Sequence, residues 1–178
     1  MAKNRTDIVV QQKHFLEKLL KDAALEEPQQ TLPEQMHEDS FQVLVFYLAE
    51  EKYAIPIESI REIIRYVEAT TVPHTVDFLE GIISLRGEMI PLINGRKRLG
   101  REPKQPDRRT RIIILEEGAH HFGILVDAAA QVLTIRQSKI EPPPPGPGTV
   151  DAAFIQGVTE QNGRLFILLN LKKFLEFS

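Results

Sequence analysis

The chain carries two imperfect copies of one apolar, β-type unit, and any fold it adopts must place both. Tyr53-Ala54-Ile55-Pro56-Ile57-Glu58 lines up with Phe122-Gly123-Ile124-Leu125-Val126-Asp127 at an offset of 69, and the same offset pairs Glu62-Ile63-Ile64 with Gln131-Val132-Leu133. Phe78-Leu79-Glu80-Gly81-Ile82 lines up with Phe154-Ile155-Gln156-Gly157-Val158 at an offset of 76, which also relates Gly87 to Gly163, Leu92-Ile93-Asn94 to Leu168-Leu169-Asn170, and Leu99 to Leu175. The offset changes by seven in the stretch that contains the proline run Pro142 to Pro145. A register held over both halves of the unit marks a pseudo-repeat, with copies at roughly residues 41–109 and 110–178 and strands free to be exchanged between them.

Each unit is made of short runs, among them residues 43–48, 53–57, 82–85, 89–93, 111–115, 122–126 and 165–169, punctuated by Gly, Pro, Asn and Asp. Many short strands with little helix between them predict an all-β fold of barrel or sandwich type with antiparallel pairing, and argue against a parallel α/β architecture. Asn162-Gly163 between apolar runs predicts a two-residue hairpin of type I′, which needs positive φ at both positions. Arg86-Gly87 stands in the matching place. Arginine is a poor choice for positive φ, so this tip either uses another turn or tolerates strain, with its side chain toward solvent. Residues 59–65 and their counterparts 128–135 both read as one helical turn leading into a strand. Residues 171–176 read as a short helix capped by Asn170.

The first 40 residues differ in kind. Ile8, Val9, Phe15, Leu16, Leu19, Leu20 and Ala23 recur at helical spacing, which predicts an amphipathic helix over about residues 7–25, followed by an acidic, Pro- and Gln-containing linker. These 40 residues hold five Lys or Arg and eight Asp or Glu, and the remaining chain balances at 17 of each. A neutral body excludes general nucleic-acid binding, which needs clustered positive charge. Residues 96–111, with eight Lys or Arg against two acids, are the local exception. They lack interleaved aromatics and read as a solvated loop whose only expected partner is an acidic surface.

No apolar run approaches the ~18 residues of a membrane-spanning helix, and residues 1–10 offer no signal-peptide core. A cytoplasmic protein without direct membrane insertion is expected. There is no cysteine, hence no disulfide and no thiolate site. His14, His37, His74, His120 and His121 show no metal-ligand spacing, and no nucleophile-elbow or phosphate-loop motif occurs. No cofactor or metal is expected. His120-His121 reads as surface decoration on a hairpin, and nothing in the sequence brings Asp127, Ser84 and His74 together as a triad. The chain reads as a protein that is not an enzyme.

One set of segments carries a family resemblance in order and spacing across residues 41–178: Val45-Phe46-Tyr47-Leu48, Tyr53-Ala54-Ile55-Pro56-Ile57, Ile60-Arg61-Glu62-Ile63-Ile64, Gly81-Ile82-Ile83-Ser84-Leu85-Arg86-Gly87, Ile90-Pro91-Leu92-Ile93, Thr110-Arg111-Ile112-Ile113-Ile114, Gly123-Ile124-Leu125-Val126-Asp127, Val132-Leu133, Ile140-Glu141-Pro142-Pro143 and Ile167-Leu168-Leu169-Asn170-Leu171. Together they resemble the CheW-like family, the adaptor domain of bacterial chemotaxis. The resemblance implies two pseudo-repeated five-stranded β-barrels sharing a core, to which the residue pattern adds short helical segments and an N-terminal helical extension.

It also implies a non-catalytic role: coupling chemoreceptor cytoplasmic tips to the regulatory domain of a CheA-type histidine kinase, with ring or array assembly. The implied contact residues are Ile60, Glu62, Gly81, Arg86, Gly87, Gly123 and Val132. Ile60 and Val132 would serve as apolar anchors for a helical tip, Gly81 and Gly123 as points of close backbone approach, and Glu62 and Arg86 as orienting charges.

Two departures stand out. The family commonly has Asp-Leu-Arg where this chain has Asn94-Gly95-Arg96, which predicts a core leucine missing at Gly95 and a looser first barrel. The N-terminal extension is the other, and it is too short for a receiver domain.

Overall fold

The computed structural model describes residues 39–146 and 150–177. The predicted N-terminal helix and linker lie outside them, up to residue 38. Ten strands and two short helices follow in order: β1 (Ser40–Leu48), β2 (Glu51–Pro56), β3 (Ile60–Arg65), β4 (Leu79–Leu85), β5 (Glu88–Asn94), α1 (Gly95–Arg98), β6 (Arg111–Glu117), β7 (His120–Val126), β8 (Ala128–Arg136), β9 (Ile155–Gln161), β10 (Arg164–Leu169) and α2 (Leu171–Phe174). The fold is all-β, in two five-stranded sheets ordered β8-β1-β2-β10-β9 and β3-β6-β7-β5-β4.

Each repeat unit therefore contributes two strands to one sheet and three to the other. The repeat extends to the pairing. Leu92 opposes Gly123 in the parallel β5·β7 contact, and Leu168 opposes Ala54 in the parallel β10·β2 contact, positions related by the offsets of 76 and 69. These parallel contacts, one in each sheet, correct the expectation of wholly antiparallel pairing. They arise because strands from different units meet there, with no hairpin to impose antiparallel order.

Both sheets close on themselves in the same way. Past β3, Thr70 exchanges two 2.9 Å backbone hydrogen bonds with Ile82 of β4, and past β8, Glu141 exchanges two 2.8 Å bonds with Val158 of β9.

The strands alternate between two apolar environments. On β1, Leu44, Phe46 and Leu48 enter a core shared by both sheets, while Val43 and Val45 fill the interior of their own sheet. On β6, Ile113 and Leu115 enter the shared core while Ile112 and Ile114 fill the other interior. A strand covered on both faces has no polar side to show, which is why these segments read as unbroken apolar runs. Each fully buried Leu or Ile contributes roughly 1.5–3 kcal/mol.

The hairpins follow their turn chemistry. Asn162 and Gly163 have φ of 52° and 73°, and Arg86 and Gly87 have 50° and 83°, so Arg86 takes the left-handed conformation rather than a different turn. Asn94 and Asn170 each accept a hydrogen bond from the backbone N–H three residues on, capping α1 and α2. The helical turn expected before a strand in both units occurs only in the first, as a 3-10 turn at Ile57–Ser59. In the second, Asp127 passes straight into β8: its N–H donates to Tyr47 O, and its carboxylate accepts from Ala49 N and from Arg96. That leaves no room for a turn.

The expectation of a missing core side chain at Gly95 is overturned. A Cβ there would stand 2.7 Å from Leu125 O and 2.8 Å from Leu48 Cδ2, so Leu48 already occupies the space. Gly95→Leu should consequently lower the urea midpoint, at a cost of about 1–3 kcal/mol or more from overpacking. An unchanged or raised midpoint would restore the vacancy.

Candidate functional site

The site begins with an irregularity in β3. A bulge between Ile60 and Glu62 in the β3·β6 pairing puts both Ile60 and Ile63 into the shared core. It leaves Glu62 opposite Ile114, on the face where Ile64 packs against the interior of its own sheet. A carboxylate there needs a partner. Arg86, at the tip of the β4–β5 hairpin, supplies one through Nη2, 3.0 Å from Glu62 Oε2; the two side chains are 69% and 9% exposed. Glu62 Oε1 is buried without a hydrogen-bond partner.

A second ionic group adjoins this pair in sequence and sheet. Arg61 Nη1 donates to Glu88 Oε2 at 2.9 Å, and His121 Nδ1 lies 2.6 Å from the same oxygen and 3.1 Å from Arg61 Nη1. Arg61 and then His121 hold the Glu88 carboxyl below the usual carboxylate range. His121 is thus tied into a network, which corrects its reading as surface decoration; neighbouring His120 is exposed. Sequence reasoning missed Arg61, Glu88 and His121. Their only prior signal was the position of Glu88 just past the Arg86-Gly87 turn. In the other sheet the repeat puts Ala130, Arg164 and Lys52 at the equivalent places, so the network is peculiar to one barrel.

The predicted contact residues divide into groups. Glu62 and Arg86 are bonded to each other, and Gly87 completes the same exposed turn. Ile60 is 2% exposed in the shared core, and Val132 is half-buried against that core. Gly81, at φ 144°, faces inward: a Cβ would stand 2.1 Å from Thr70 O, so this glycine permits the strand closure. Gly123 lies inside the sheet, where a Cβ would stand 3.1 Å from both Ile112 Cγ2 and Leu92 Cδ1.

The basic run divides: residues 102–109 form an exposed loop, as read, while the cations ahead of them are engaged within the fold. Arg96 forms a fork on Asp127, with Nη2 2.6 Å from Oδ2, and Lys97 lies 3.8 Å from Glu80. Arg98 binds backbone carbonyls at the end of α2. Arg101 pairs with Glu51 and Lys104 with Asp107. Asp127 is occupied by Arg96 and so is not free to orient a histidine. Among the described residues no group of His, Asp and Glu is arranged to hold a metal ion, and no helix is long and apolar enough to cross a membrane.

Comparison with known proteins adds an independent finding. A family model described as a CheW-like domain matches residues 42–177. Over 132 residues the chain is 32% identical to the chemotaxis protein CheW of Klebsiella aerogenes, an alignment covering 74% of this chain and 80% of that one. Over 133 residues it is 28% identical to Protein FrzA of Myxococcus xanthus, covering 74% and 82%. Among solved structures, the scaffolding protein TtCheW from Thermoanaerobacter tengcongensis superposes with a TM-score of 0.72 at 36% identity, covering 82% of this chain and 94% of the other.

Proposed function

The chain belongs to the CheW-like family, and on that premise we propose that it is a non-catalytic adaptor coupling chemoreceptor cytoplasmic tips to the regulatory domain of a CheA-type histidine kinase. The observation that carries the reading is the Glu62–Arg86 pair. A buried acid holds an exposed guanidinium in place on a strained hairpin tip, which is costly unless the tip presents that group to something. A fixed, partly exposed charge orients a docking helix more than it adds raw affinity. In this arrangement Arg86, Gly87 and the exposed part of Val132 meet the receptor tip. Ile60, Glu62, Gly81 and Gly123 act from beneath by holding β3, β4 and β7 in shape.

Calorimetric titration with a receptor-tip fragment and, separately, with the kinase regulatory domain tests this. Arg86→Ala is expected to weaken receptor binding by about tenfold and leave kinase binding within about twofold, since removing one rim charge acts locally. Receptor binding untouched by the substitution, or no saturable binding to either protein, would contradict the proposal. A second reading, the same scaffold in a non-flagellar chemosensory pathway such as pilus motility or developmental signalling, draws on the similarity to Protein FrzA. Preferential binding to a kinase of such a pathway would favour it.

A further inference from the structure

Two ion pairs tie the tip of the β4–β5 hairpin to β3, one on each side of Gly87. Arg86 reaches Glu62, and Glu88 reaches Arg61. Neighbours in a regular strand point to opposite faces, so an unbroken β3 could not offer both Arg61 and Glu62 to one hairpin. The bulge makes it possible. Ile60 opposes Leu115 and Glu62 opposes Ile114, which leaves Arg61 as the extra residue, and a bulge re-aims the side chain it carries.

The hairpin itself does not require these pairs. In the other sheet the places of Glu62 and Arg86 are taken by Gln131 and Asn162, and those of Arg61 and Glu88 by Ala130 and Arg164. Neither ion pair can form there, yet that tip makes the same left-handed turn, with φ of 52° and 73°. Partly exposed ion pairs also add little stability. What they supply here is a fixed direction for Arg86, whose side chain is 69% exposed.

We propose that Glu88 is a positioning residue for Arg86: through Arg61 it holds the far side of the tip against β3, and protonation of His121 weakens that hold. What the tip meets rests on the adaptor reading; the brace itself does not.

The pH dependence follows from the shared oxygen. His121 Nδ1 lies 2.6 Å from Glu88 Oε2, so a proton on Nδ1 is donated to the carboxylate. The other ring nitrogen, Nε2, is 3.4 Å from Arg61 Nη1. A proton there sets a second cation against the guanidinium, and like charges at this separation repel. Around the ring stand Glu88 on β5, Arg61 on β3 and Glu116 directly opposite on β6, with Glu117 opposite the neighbouring His120; both β6 acids are exposed to water. Glu88 stays ionised, because Arg61 and then His121 hold its carboxyl below the usual carboxylate range. Both cations then compete for Oε2, and Arg61 loosens as pH falls.

Amide relaxation on the full 178-residue chain reads the brace without a partner. At about pH 8 the Arg86 and Gly87 amides should have order parameters near ~0.85, and Glu88→Gln should bring them below ~0.6. The Asn162 and Gly163 amides are the internal control and should not change. Between about pH 8 and pH 5, where histidine changes charge, order at Arg86 and Gly87 should fall in the wild type. His121→Gln, which can still donate to Glu88 but cannot titrate, should remove that dependence. In calorimetry, Glu88→Gln should weaken receptor-tip binding about three- to tenfold. Added to Arg86→Ala it should weaken binding no further, as for residues that act as one unit. Rigid tip amides in Glu88→Gln, a pH profile that survives His121→Gln, or additive losses would each overturn the proposal. Lost order in Glu88→Gln together with receptor binding indifferent to Arg86→Ala would support the brace and contradict the adaptor site.

Discussion

Arg98→Ala is expected to be the most destabilising single substitution of a charged residue in this domain, lowering unfolding free energy by about 3–5 kcal/mol. The guanidinium lies 4.0 Å from the ring centre of Phe78 and 4.7 Å from that of Phe154, two residues related by the offset of 76. It therefore sits where the two repeat units meet. Its Nε donates to Phe174 O at 2.8 Å, and Nη2 donates to Lys173 O at 2.9 Å and to Glu176 O at 2.5 Å. These are carbonyls at and just past the end of α2, where helical partners run out; Lys173 O also accepts from Glu176 N. Burial draws its pKa down, so the cation has given up water and relies on these contacts.

By the same offset the counterpart of Arg98 is Phe174, fully buried against Phe154. Both therefore meet at the junction on Phe154, one as a cation and the other as a ring. Urea unfolding would read the loss as a lower midpoint at unchanged slope. Arg98→Lys, which keeps the charge but not the fork, should recover less than half of it. A loss below about 1 kcal/mol for Arg98→Ala would reduce the residue to an ordinary surface contact.

Much of this organisation was legible in the residues. The repeat, the hairpin at Asn162-Gly163 and the caps at Asn94 and Asn170 depend on local chemistry and on period-two burial, which a sequence displays. That strands could be exchanged between the units was legible, but which ones was not, because the offsets relate equivalent positions without saying which sheet each joins. The network of Arg61, Glu88 and His121 was hidden for a similar reason, since its members come from β3, β5 and β7 and meet only through the pairing. Gly95 misled: its repeat partner Leu171 implied a void, but Leu48, from another strand, fills it. Arg98 lay inside a run whose charge drew attention, while its role depends on two phenylalanines on either side of the repeat.

Gly81→Ala is the second substitution expected to have a large effect, and it separates contact from architecture at the candidate site. Three glycines there carry different constraints. Gly87, at φ 83°, has nothing within 4 Å of an added Cβ, so Gly87→Ala should cost about 1 kcal/mol of backbone strain with the fold intact. Gly123 would press its Cβ against two side-chain methyls at 3.1 Å, which repacking can relieve for about 1–2 kcal/mol.

Gly81 has neither escape. Its φ of 144° suits glycine, and the Cβ would overlap a backbone oxygen, Thr70 O, at 2.1 Å. The two 2.9 Å bonds between Thr70 and Ile82 must open, with an expected loss of about 3 kcal/mol or more. At Gly157, its repeat equivalent, a Cβ would stand 2.5 Å from Ile140 Cγ2 and 2.9 Å from Glu141 O, and Gly157→Ala should open the other sheet in the same way. Amide exchange offers the sharpest reading: in Gly81→Ala, Thr70 and Ile82 should lose protection while Glu141 and Val158 keep it. Full protection at Thr70 would show that the segment after β3 does not close the sheet. If protection is lost, any binding defect caused by substitution at Gly81 reports the closure of a barrel beneath the Arg86 tip, and a direct contact must be sought at Arg86, Gly87 and Val132.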